Sequence, residues 1–203
     1  MNKLINKIKE EYSKGFSAKE VGENLGVSEK MVRYWMNKGE IKARSWSDAT
    51  YKKRNPDGDP FKIIDNIKSH YQLLLFFIGI GLYLGEGTKQ GKHKVALGNT
   101  NPDILKTFLY FLRIICGVKE NKIRAELNIF DDVNKTKAIS YWSKNIGITK
   151  KQIRHVFIRK SKGGSYKKKS KYGTLTLLVC NSKLKQIILE WCTLALKDCI
   201  MPL

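Results

Sequence analysis

The sequence predicts an α+β domain, one sheet with helices on a single face, behind a small all-α module at the N-terminus. Three observations predict it. Residues 2–38 read as three short helices, each stopped at a glycine. Residues 52–60 carry two prolines, a glycine and alternating charges, the composition of a connection. Beyond residue 70 the apolar spacing switches repeatedly between helical and strand periods. With 203 residues, 42% of them hydrophobic, the chain can fill one sizeable core and add a small module.

The first helix spans Asn2 to Lys14, with Leu4, Ile5, Ile8 and Tyr12 on one face, and Gly15 ends it. Ser17 caps a second helix running to Leu25, and Glu20 completes a capping box. Gly26 makes the turn, Ser28 caps a third helix from Glu29 to Lys38, and Gly39 stops it. Ala18, Val21, Leu25, Val27, Val32 and Trp35 close a little core, and Gly22 permits close crossing. This is the spacing of a helix-turn-helix, occupying residues 1–48. With its third helix in a major groove, the outward positions are Ser28, Glu29, Lys30, Arg33, Tyr34 and Asn37. Lys30 and Arg33 suit guanine acceptors or phosphates, and Asn37 suits adenine. Glu29 fits a first-turn dipole partner better than a base reader.

Residues 49–69 read as linker and lead-in, with a short helix over residues 61–70. Asp57, Asp59 and Asp65 have the spacing of turns rather than of a calcium loop. Residues 70–203 form the α+β domain. A central apolar helix ends at Glu86, a turn follows at Thr88–Lys92, and residues 93–98 form a strand. A helix runs from Pro102 to Ile115, with Ile104, Leu105, Phe108, Leu109 and Leu112 at helical spacing. Residues 122–131 alternate as a strand, with Ile123, Ala125, Leu127 and Ile129 on one face. Residues 136–145 are helical, 153–158 and 173–180 extended, and Ser182 caps a last helix over 183–197.

The central helix carries the chemistry. From Leu73 to Gly85 there is no charge, yet glycine stands at 79, 81 and 85. Each helix-interior glycine costs about 1 kcal/mol against alanine, so each needs a reason. Gly81 and Gly85 share a face that lets another backbone approach. Glu86 sits at the helix C-terminus, where the dipole disfavours an anion and a nearby cation would relieve it.

Net charge is +21, a field that attracts polyanions and makes nucleic acid the default partner. Between Asp132 and Glu190 there is no carboxylate and there are fifteen Lys and Arg. Lys150, Lys151, Arg154, Arg159, Lys160, Lys162, Lys167, Lys168, Lys169 and Lys171 crowd that span as a phosphate-tracking surface. The four cysteines have no paired spacing and read as buried free thiols, and the three histidines form no zinc pattern with them. With no signal peptide, lipidation motif or spanning segment, the expectation is a cytoplasmic protein with no membrane partner.

Gly81-Leu82-Tyr83-Leu84-Gly85-Glu86-Gly87 resembles the LAGLIDADG motif of homing endonucleases. Lys89 matches a lysine three residues after the acid in some members, and residues 95–101 resemble the family's strand and turn. The likeness covers roughly Tyr71 to Leu203. It implies a LAGLIDADG homing-endonuclease-like sheet whose open face saddles double-stranded DNA. The first hairpin is short here and a helix over 136–145 is inserted, both departures from the pattern.

The resemblance further implies that Gly81 and Gly85 pack two motif helices together. This chain has one motif, so its expected form is a homodimer. Glu86 of each copy would hold magnesium at the scissile phosphates, Lys89 would orient water or offset phosphate charge, and Asn99 would line the same pocket. No small-molecule cofactor is expected. The rival reading is a DNA-binding transcription regulator that keeps the fold without cleaving. RNA processing comes third.

Overall fold

The computed structural model describes residues 2–161 and 170–200. The chain divides into two compact units, Met1–Pro60 and Phe61–Leu203.

The first unit holds α1 (Asn2–Ser13), α2 (Ala18–Leu25), α3 (Glu29–Lys38) and α4 (Trp46–Arg54). Ser17 and Glu20 form the capping box, and Ser28 Oγ accepts from Met31 N–H. Gly26 takes a φ of 68°, where a side chain would be strained. A Cβ on Gly22 would lie 2.6 Å from the Val27 carbonyl oxygen, so glycine alone admits that crossing. Ile8, Ala18, Val21, Val32 and Met36 are buried, with Leu25, Val27 and Trp35 half-buried against them. Trp35 thus packs on the little core as expected, and Met36 joins Val32 inside it.

α4 corrects the expected linker. Ser45 caps it, and it continues through Lys52, Lys53 and Arg54 before Asn55-Pro56 ends it, because the residue before proline resists helix. Arg44 lies 3.8 Å from the Tyr12 ring centroid, and its N–H donates to the Tyr12 hydroxyl. Lys52 Nζ donates to the Ser13 carbonyl at 2.7 Å. The segment after α3 is thus bound to α1.

The second unit begins with an extended lead-in where a helix over residues 61–70 was expected. Phe61 is buried. The N–H groups of Lys62 and Ile64 donate to the carbonyls of Gly117 and Ile115, each at 3.1 Å. Backbone donors taken by another segment cannot build a helix. Then come α5 (His70–Glu86), β1 (Lys94–Asn99) and α6 (Pro102–Tyr110), the last continued by a π turn over Phe111–Ile115. β2 (Arg124–Phe130), α7 (Lys135–Ile146), β3 (Ile153–Arg159), β4 (Thr174–Cys180) and α8 (Ser182–Ile200) complete it. Asn181, not Ser182, caps α8, its side chain accepting from Leu184 N–H at 2.9 Å.

The four-stranded sheet has the order β1-β4-β2-β3. β4 runs antiparallel to β1 and to β2, whereas β3 runs parallel to β2. A parallel pair needs a long crossover, and α7 supplies it. Val95 and Leu97, Ala125, Leu127 and Ile129, and Leu175, Leu177 and Val179 occupy one face by alternation. They join buried residues of α5, α6, α7 and α8 in a single core. The hairpin after Glu86 shrinks to a bridge between Gly87 and Leu97 and a Thr88 N–H bond to the Ala96 carbonyl.

The four cysteines are free, but only Cys116 and Cys192 are buried. Cys180 and Cys199 are exposed, which corrects the expectation of four buried thiols. Among the described residues no helix is long and apolar enough to cross a membrane.

Candidate nucleic-acid interface and acidic helix end

Glu86 is the last residue of α5 and exposed. The bridge one residue later brings the helix end alongside the C-terminal half of β1, where Asn99 lies two residues past Leu97. Lys89 supplies the cation that the dipole requires, its Nζ donating to the Leu84 carbonyl at 2.5 Å. Asn99 has a local task, its side-chain oxygen accepting from Asn101 N–H at 2.8 Å ahead of α6. No hydrogen bond among the described residues joins Asn99 to Glu86 or Lys89.

The turn carrying Lys89 is held from beneath by a residue that sequence reasoning missed. Lys185 is 2% exposed, and its Nζ donates to the carbonyls of Thr88 at 3.0 Å and Gln90 at 2.9 Å. The Tyr83 hydroxyl donates to the same Thr88 carbonyl at 2.8 Å. Burial pushes the Lys185 ammonium below the usual lysine value, and burial first, then Cys192, pushes the Tyr83 hydroxyl up to about 12. A signal did exist. Lys185 shares helical spacing with the buried Ile188 and Cys192, a charge on an apolar stripe.

The glycines of α5 separate into two kinds. A Cβ on Gly79 would enter the Phe111 ring, so that glycine serves the chain's own core. Gly81 and Gly85 are exposed, and a Cβ on either meets nothing within 4 Å. They lie in a stripe with Tyr71, Leu74 and Ile78, flanked by Phe77, all exposed. An uncharged stripe of this length, ending in an exposed carboxylate, is unusual for a solvated surface.

On α3, Ser28, Lys30, Arg33, Tyr34 and Asn37 are all exposed, as the groove-facing reading requires. Arg33 is already engaged, 2.7 Å from Glu29 Oε1 one turn earlier. Tyr34 has Lys38 Nζ 6.0 Å from its ring centroid.

Among the described residues the basic span does not form one cluster. Lys150 and Lys151 sit in a single helical turn ahead of β3, whereas Arg159 ends β3 and Lys160 follows it. A seven-residue strand separates the two pairs by about 20 Å. Arg154 is the extra residue of a bulge, between Ile153 paired with Ala125 and His155 paired with Glu126. Lys171 lies beyond, its Nζ 5.6 Å from the Tyr172 ring, which stacks on Tyr141 at 3.9 Å. These six basic residues are exposed. Lys162, Lys167, Lys168 and Lys169 lie outside the described residues.

Among the described residues no three His, Cys, Asp or Glu side chains converge as metal ligands. Glu86 is a hard oxygen donor of the kind magnesium takes, and an ion held there needs further oxygens beside that one carboxylate. No known family, curated protein or solved structure matches the chain.

Proposed function

We propose that the chain is a site-specific double-stranded DNA endonuclease of LAGLIDADG homing type, acting as a homodimer. One observation carries this reading: Gly81 and Gly85 lie in an exposed apolar stripe of α5 that has no partner among the described residues and leads to Glu86. Two copies packed symmetrically on that stripe would bring two Glu86 carboxylates to the twofold axis. The pair of carboxylates would hold magnesium together with phosphate oxygens and water, and the bound metal would stabilise the attacking and leaving oxygens.

Lys89, steadied by the Leu84 carbonyl, keeps a positive charge at the helix end and attracts phosphate there. Lys185 and Tyr83 fix the turn that bears it. α3 and the cations along β3 add sequence contacts and phosphate contacts. The element order after residue 70, with no buried residue on the β2 and β3 part of its second sheet face, supports the same class.

Cleavage of a randomised duplex library with magnesium tests it, wild type beside Glu86→Gln. Cuts at one enriched sequence are expected from wild type and lost in the variant, while binding survives. Selective binding with no cuts from either protein would instead make the chain a transcription regulator built on this fold.

A further inference from the structure

We propose that the β3 side of the second sheet face binds single-stranded nucleic acid, stacking unpaired bases on Phe157 and His155. The site uses neither Glu86 nor a metal. β3 is the last strand in the sheet order. Its register pairs His155 with Glu126, Phe157 with Asn128 and Arg159 with Phe130, three rows turned away from the core residues Leu127 and Ile129. Both rings are exposed, Phe157 at 48%, and their centroids lie 6.1 Å apart with the planes 31° from parallel. An exposed phenylalanine ring on the sheet face turned away from the core does nothing for the chain's own core.

The spacing selects the ligand. Bases in a duplex step about 3.4 Å and already stack on both faces, so the rings offer them little. An unpaired strand can splay its bases to a wider step and lay their free faces on successive rings. Cations flank the rings for its backbone: Arg154 in the bulge, Arg159 at the strand end, Lys160 beyond it and Arg124 at the start of β2. The carboxylate in these rows, Glu126, is offset by Lys94 at 3.7 Å. Asn128 beside Phe157, and Thr174 and Thr176 on β4, supply hydrogen-bonding groups for base edges.

Fluorescence anisotropy of the full chain in chelator tests this. The probes are labelled oligo-dT and oligo-U of about 12 nucleotides, within the site sizes of such surfaces, and a duplex of equal length. Both single strands should bind, Phe157→Ala should weaken them about tenfold, and Phe157→Trp should restore them. Duplex affinity should stay unchanged in both variants. Equal affinity for dT and U assigns stacking alone, whereas preference for U adds a 2′-hydroxyl contact and an RNA ligand. Melting of Phe157→Ala should match wild type, since the ring is exposed. Single-strand affinity unmoved by Phe157→Ala, or single strand and duplex weakened by the same factor, overturns the proposal. Glu86→Gln, run alongside, should bind like wild type, so a failed nuclease reading leaves this result standing.

Discussion

Gly79 and Gly81 are two residues apart in α5, yet they answer to different neighbours. Gly79→Ala should destabilise the chain by about 1–3 kcal/mol in urea unfolding, because its methyl must displace Phe111 in a packed core. Gly81→Ala and Gly85→Ala face open space, so each should stabilise an isolated chain by about 1 kcal/mol. The same two changes should weaken self-association, read by sedimentation velocity across a concentration series. Association untouched by Gly81→Ala would remove the stripe as the contact. All three glycines stand out in the sequence as helix-weakening residues without a local reason. The reason for Gly79 was hidden because Phe111 lies on another helix. The apolar stripe marks Lys185 as buried, but its partners are the carbonyls of Thr88 and Gln90, and carbonyls leave no mark in sequence.

Elements met their expected bounds where local chemistry decides, as at the Ser17 and Ser28 caps, and missed them where a distant segment competes. The lead-in at residues 61–64 is extended because Gly117 and Ile115 take its donors. The start of β3 is tied to the end of α6 in the same way. Arg113 forms a forked pair with Glu120, at 2.9 and 2.6 Å, and donates to the Gly147 carbonyl. Gln152 donates to the same Glu120 carboxylate at 2.9 Å. The Arg113 bond, chiefly, holds the Glu120 carboxyl below its usual value of 4.5. A depressed carboxylate contributes stability above the unfolded value and loses it as pH falls through the folded one. Glu120→Gln should therefore cost about 1 kcal/mol or less at neutral pH, and the difference from wild type should fade below pH 4.5, followed by thermal melting. On α5, Phe77→Asp should abolish self-association while leaving the melting of the isolated chain nearly unchanged, because the ring is 56% exposed.

For the whole molecule, charge was the most legible property and its arrangement the least. The +21 total and the acid-free span point to a polyanion from composition alone. A linear reading crowds the cations together, whereas the fold strings them along an edge strand with a lysine pair at one end and Arg159 and Lys160 at the other. Removing either pair should therefore flatten the dependence of log affinity on log salt by about 2, and removing both by about 4. The parallel partnership of β2 and β3 could not be read either, because strand order is set by how α7 packs rather than by any strand's own residues. That position has a price in solubility. β3 pairs on one side among the described residues, leaving the other row of peptide groups able to zip onto a second molecule. Arg154, Arg159 and Lys160 keep such edges apart by mutual repulsion. Polyanion at low ratio would cancel that repulsion and let edges meet, whereas excess would coat each molecule with negative charge. Turbidity during a titration with long DNA should thus rise to a maximum near charge balance and clear again beyond it.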